Sequence, residues 1–88
     1  MTYRVVIAHE AEKLLRRLDQ RSERRMRMRF LQLAEDPFDP RLSSPLTERA
    51  GMRKSRVGHW RILFLADRNE QVLYIVTVDT RGQVYKHS

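Results

Sequence analysis

In the run Met52-Arg-Lys-Ser-Arg-Val-Gly-His-Trp-Arg-Ile-Leu-Phe-Leu-Ala66 two strand-like halves meet at Gly58-His59, a pair suited to turning the chain. Strand side chains alternate between faces. Met52, Lys54 and Arg56 therefore share one side of the first half, with Arg53, Ser55 and Val57 on the other. In the second half Trp60, Ile62, Phe64 and Ala66 form an apolar stripe, opposite Arg61, Leu63 and Leu65. A hairpin here gathers Lys54, Arg56 and Arg61 on one face, provided the turn does not shift the register. Downstream, Asp67-Arg-Asn-Glu-Gln71 reads as a second hairpin loop, and Val72 to Val78 is the most β-rich run of the chain.

Toward the N-terminus, Thr2 to Ala8 is rich in β-branched residues and reads as a strand. The period then becomes helical. Ala11, Leu14, Leu15 and Leu18 define one helix over His9–Arg21, with Glu12, Lys13, Arg16 and Arg17 outside. Ser22 is the expected N-cap of a second helix, with Glu23 near its positive end. Met26, Phe30, Leu33 and Ala34 make its buried stripe, widened by Leu31 and accompanied by Met28, while Arg24, Arg25, Arg27 and Arg29 crowd the outer surface. Pro37 and Pro40 end that helix. An irregular connection follows to Gly51, anchored by Leu42 and Leu46, and a tail from Thr80 to Ser88 closes the chain. The order is β-α-α-β-β-β. The expected fold is α+β: an antiparallel-rich sheet with an N-terminal αα-hairpin packed on one face, in a single domain over residues 1–88.

Eighty-eight residues leave no room for a second core. With no cysteine, disulfides, thiolate metal sites and cysteine nucleophiles are excluded. No apolar run is long enough to span a bilayer, and the first residues lack the pattern of a secretory signal, so the expected setting is the cytoplasm, away from membranes. Charge is the strongest compositional feature. Eighteen Lys and Arg against eleven Asp and Glu give a formal charge of +7, and lysine stands only at Lys13, Lys54 and Lys86. Arginine forks grip phosphate oxygens bidentately and stack on bases, which points to nucleic acid or an acidic protein partner.

The hairpin face, joined by Arg81 and Tyr85 from the tail, would form a concave cationic patch with one aromatic ring. Such a patch suits RNA cleavage without metal or small-molecule cofactor. The ribose 2′-OH is its own nucleophile, and the protein must orient the backbone, neutralise charge building on the phosphate and move protons. Arg61 and Arg81 fit electrostatic roles, because guanidinium hardly loses its proton. Lys54, set among arginines, is the expected proton-transfer group. Tyr85 could stack on a base or hydrogen-bond a phosphate. Arg53, Arg56, His59 and Lys86 are the expected RNA contacts around this set. On the residues alone, a solvated basic sheet face is the simpler reading. His59 and His87 read as exposed histidines, Trp60 as a core residue, and Met26, Met28 and Phe30 as core.

The string Arg56-Val-Gly-His-Trp-Arg-Ile-Leu-Phe64 resembles the R-x-G-x-[YW]-R-[ILV]-x-[YF] segment of RelE-family toxins, and Val78-Asp-Thr-Arg-Gly-Gln-Val-Tyr85 is similar to their closing [IV]-x-x-R-x-x-[IV]-Y. The helix pair, the proline after the second helix and the strand order agree with the RelE/ParE superfamily. The resemblance implies an endoribonuclease that cuts mRNA in the ribosomal A site and is inhibited by a small acidic antitoxin. Its implied functional residues are Lys54, Arg61, Arg81 and Tyr85. Met52 stands where well-studied members carry a second lysine, which leaves Lys54 to act alone. Two competing expectations share the fold: a ParE-like inhibitor of DNA gyrase, which would generally lack that set of four, and a catalytically inactive binding protein. RNA or ribosome binding should weaken steeply with salt, by roughly 0.7 log units per phosphate contact for each log unit of salt. Titrations from low to high salt check this, and an unchanged affinity would contradict it.

Overall fold

The computed structural model describes residues 2–80. Strand β1 (Arg4–Ile7) leads into helix α1 (His9–Arg16) and helix α2 (Gln20–Glu35). The short β2 (Ser44–Pro45) precedes β3 (Arg53–Val57), β4 (Trp60–Asp67) and β5 (Val72–Thr80). The five strands form one sheet in the order β1-β5-β4-β3-β2, antiparallel throughout except that β1 runs parallel to β5. The architecture is the α+β arrangement read from the sequence, with β2 added as an edge. Among the described residues no helix is long and apolar enough to cross a membrane.

The helices differ from expectation at their junction. α1 stops at Arg16, where the N–H groups of Arg17 and Leu18 turn back to the carbonyls of Leu14 and Leu15 at 3.1 Å each, tightening the last turn. Asp19 then adopts extended backbone and caps α2, its carboxylate accepting the N–H of Ser22 at 3.1 Å. Ser22 therefore lies inside the helix rather than at its start. Aspartate earlier in the chain fills the capping role, and its charge also meets the positive end of the macrodipole.

Helix stripe and sheet stripe meet in one core. Ala11, Leu15, Met26, Phe30, Leu33 and Ala34 pack on Val57, Ile62, Phe64, Leu73, Ile75 and Val78, with Trp60 and Leu42 half-buried against them. Leu31 and Met28 are not part of this stripe. They are 61% and 58% exposed, because steps of one and two residues from Phe30 rotate a side chain well away from the buried line. Two arginines expected at the solvated surface are fastened down instead. Arg27 bridges Glu12 of α1 at 2.7 Å and Glu23 of its own helix at 2.9 Å. Arg29 donates from Nη1 to Ser55 Oγ (2.9 Å) and to the carbonyl of Arg56 (2.7 Å), tying α2 to β3.

The opposite face carries a smaller apolar cluster. Leu46, Met52 and Leu63 are buried together with Val76 packed against them. The connection between α2 and β3 thus folds over that face and is closed by the Leu46 N–H donating to the Met52 carbonyl. Between β3 and β4 the turn takes a positive φ of 60° at Gly58, as a two-residue hairpin with glycine first requires. A Cβ there would meet only the tip of Arg25 at 3.5 Å, so backbone strain decides the cost. Gly58→Ala should lower stability by about 1–2 kcal/mol and the thermal midpoint by roughly 4–16 °C. An unchanged melting curve would show that the turn takes another form.

Candidate nucleic-acid interface

Register across the hairpin fixes which cations meet. Arg56 lies directly opposite Arg61, and Lys54 opposite Leu63. Lys54, Arg56 and Arg61 therefore share the sheet face that the helices do not cover. Two like charges directly opposite would repel. A carboxylate from the third strand relieves this: Asp79 of β5 is the register partner of Arg61 on its other side. The Nε and Nη2 of Arg61 donate to the two carboxylate oxygens of Asp79 at 3.0 Å each. A second carboxylate, Glu48, stands 3.6 Å from Nη1, outside hydrogen-bonding distance. The Arg61 side chain is 12% exposed. The hydrogen bonds it donates to Asp79 hold its guanidinium even more firmly protonated than usual.

Asp79 reaches this face because β5 is irregular. Leu63 pairs with Thr77 but Phe64 pairs with Ile75, so Val76 is an extra residue on β5. Below the bulge, Leu73 and Ile75 face the helices. Above it the alternation is reset, Val78 returns to the core and Asp79 turns to Arg61. Strict period two from Val72 gives Asp79 the parity of Leu73 and hides the pair from a sequence reading.

Lys54 and Arg56 line a cleft of about 310 Å³ with Pro40, Arg41, Leu42, Ser43 and Ser44. Arg41 is already held by Asp39, through bonds of 3.1 and 2.8 Å. Neither Lys54 nor Arg56 has a carboxylate partner among the described residues. The cleft thus offers two uncompensated cations and a serine hydroxyl edge, a chemistry that suits an anion such as a phosphodiester.

The remaining candidates divide. Arg53 is turned to the other side of β3. Its Nε and Nη2 donate to Ser43 Oγ at 3.1 and 3.0 Å, and its guanidinium lies 5.0 Å from the centre of the Phe38 ring. Ser43 in turn donates to the Pro37 carbonyl at 2.6 Å, so Arg53 secures the loop that walls the cleft. His59 is exposed in the hairpin turn. Arg81, Tyr85 and Lys86, with His87, lie outside the described residues. Met52, at the position of the implied second lysine, is buried in the Leu46–Leu63 cluster and belongs to packing.

The chain matches, over residues 5–85, the family described as the ParE toxin of the type II toxin–antitoxin system parDE. It also resembles solved RelE toxins. The toxin–antitoxin complex RelBE2 of Mycobacterium tuberculosis matches with 27% identity over 92% of this chain and 100% of that one, at a TM-score of 0.76. The RelE–RelB complex of Pyrococcus horikoshii matches with 26% identity over 94% and 99%, at 0.77. A variant of the Escherichia coli RelE toxin bound to an antitoxin peptide shares the fold at 16% identity over 99% and 94%, with a TM-score of 0.81. No curated protein is found to match. The chain belongs to the RelE/ParE superfamily and is a toxin of the type II toxin–antitoxin class.

The cations of β3 separate cleanly in a stability measurement. Arg53→Ala should cost about 1–2 kcal/mol through the lost serine and ring contacts. Lys54→Ala should stay within about 0.5 kcal/mol of the parent. Urea unfolding of the two variants checks this; equal losses would mean that Lys54 too is a structural residue.

Proposed function

We propose that this toxin is a metal-independent endoribonuclease that cuts mRNA in the ribosomal A site and is held inactive by a small acidic antitoxin. The observation that carries the reading is the composition of the uncovered sheet face. An anchored Arg61 stands beside Arg56 and Lys54, which have no carboxylate partner among the described residues and border a cleft. The 2′-OH attack requires in-line orientation and a cation at the phosphorane, both of which fixed guanidinium groups supply. Lys54 is the candidate proton-transfer group. Arg81 and Tyr85, from the RelE-like closing motif, would complete the set. The solved relatives from Mycobacterium tuberculosis and Pyrococcus horikoshii are toxin–antitoxin complexes, and a formal charge of +7 favours an acidic partner here as well. Exposed Met28 and Leu31, flanked by Arg24, give such a partner an apolar stripe with a basic border.

Inhibition of DNA gyrase is the second reading. It draws on the family description and on Met52, a buried packing residue where the implied RelE set has a second lysine. Primer extension on mRNA in a translating extract separates the two. The expected outcome is discrete cleavage by the wild type, reduced on the order of 100-fold or more by Lys54→Ala and abolished by Arg61→Ala with Arg81→Ala. Intact mRNA, with supercoiling by gyrase blocked, would replace the ribonuclease reading with the gyrase one.

A further inference from the structure

Arg61 is unevenly held. On its inner side Asp79 takes Nε and Nη2 at 3.0 Å each, from a strand with eight residue pairs in register with β4. On its outer side only Glu48 approaches, at 3.6 Å from Nη1 with a side chain 60% exposed. Guanidinium has five N–H donors. Asp79 engages two of them, and the Nη1 pair points toward Glu48 with no hydrogen bond made among the described residues. Glu48 sits on the turn between Leu46 and Met52, whose two ends are buried in the second apolar cluster, so the turn is anchored beside the site while its carboxylate stays in water.

We propose that Asp79 is a positioning residue that fixes the orientation of Arg61, and that Glu48 is a displaceable counterion occupying the guanidinium edge a substrate phosphate must take. The proposal rests on the reading that this face binds RNA phosphates. A phosphate oxygen arriving at Nη1 makes charge-assisted hydrogen bonds where Glu48 has only a longer-range attraction, so exchange favours the phosphate. Asp79 stays bound throughout and prevents the long side chain from following the phosphate out of line. Its charge lowers the net attraction of Arg61 for RNA while restricting the geometry. The two carboxylates therefore affect different quantities: Glu48 acts on affinity, Asp79 on the rate once RNA is bound.

Three measurements on the full chain test this. Affinity for a fully 2′-O-methylated, uncleavable oligoribonucleotide should rise roughly two- to five-fold in Glu48→Gln. Asp79→Asn should bind at least as tightly as the wild type, yet cut mRNA on saturating ribosomes about ten- to a hundred-fold more slowly. Titration with the same oligonucleotide, followed by NMR of arginine side chains, should move the Nη resonances of Arg61 in the wild type and leave Nε in place; in Asp79→Asn the Nε resonance should move before RNA is added. If Asp79→Asn does not fold, Asp79→Glu, which keeps the charge and displaces it by one methylene, should show the same rate loss. Unaltered or weaker binding by Glu48→Gln would overturn the counterion role. An unaltered Arg61 Nε resonance, or an unaltered saturated rate, in Asp79→Asn would overturn the positioning role. Wild-type protein that leaves mRNA intact would refute the ribonuclease reading and the rate effect of Asp79 that rests on it. The counterion role of Glu48 and the orientation of Arg61 by Asp79 are decided by the binding and NMR measurements, which do not depend on cleavage.

Discussion

One extra residue in a strand sets the character of the uncovered sheet face. Val76 interrupts the pairing of β4 with β5, and Thr77 to Thr80, the described residues beyond it, change face. Without that step Asp79 would point into the helix-covered core, where an unpaired carboxylate is strongly disfavoured. Arg61 would meanwhile face Arg56 with no counter-charge from β5. With it, the carboxylate and the guanidinium meet in a two-pronged pair at 3.0 Å, and Val76 itself fills the small apolar cluster on the same face. The bulge thus serves packing and electrostatics together, as bulges beside functional sites commonly do.

The abundance of arginine is resolved by position into two uses. Arg27, Arg29 and Arg53 are fasteners: one joins the helices, one ties α2 to β3, and one holds the loop at Ser43. Arg56 and Lys54 are left toward the cleft, with Arg61 neutralised on its inner side beside them. A high positive charge alone would have described a sticky surface. Fixing some of the cations structurally leaves a defined few facing the cleft, the arrangement a phosphate-recognising site needs.

The architecture was legible because its signals are local. Alternation in 60–66, the glycine turn at 58 and the helical spacing of Ala11, Leu15, Met26 and Phe30 each depend on residues close in sequence, and all were realised. The shared face of Lys54, Arg56 and Arg61 followed from the same alternation. What was not legible depended on contacts between distant segments. The capping of α2 by Asp19 rather than Ser22 depended on where α1 would stop. The exposure of Met28 and Leu31 depended on how α2 rotates on the sheet. The partners of Arg61, Asp79 and Glu48, were hidden by a bulge that period two cannot express and by a loop with no periodicity. Arg81, Tyr85 and Lys86 lie outside the described residues.

The register of β5 is the most direct object of measurement. Interstrand proton contacts in the NMR spectra of the uniformly labelled protein should place Phe64 opposite Ile75 and Leu63 opposite Thr77, with the Arg61 side chain against Asp79. Contacts between Phe64 and Val76 in an unbroken ladder, with Asp79 on the helix side, would contradict the account.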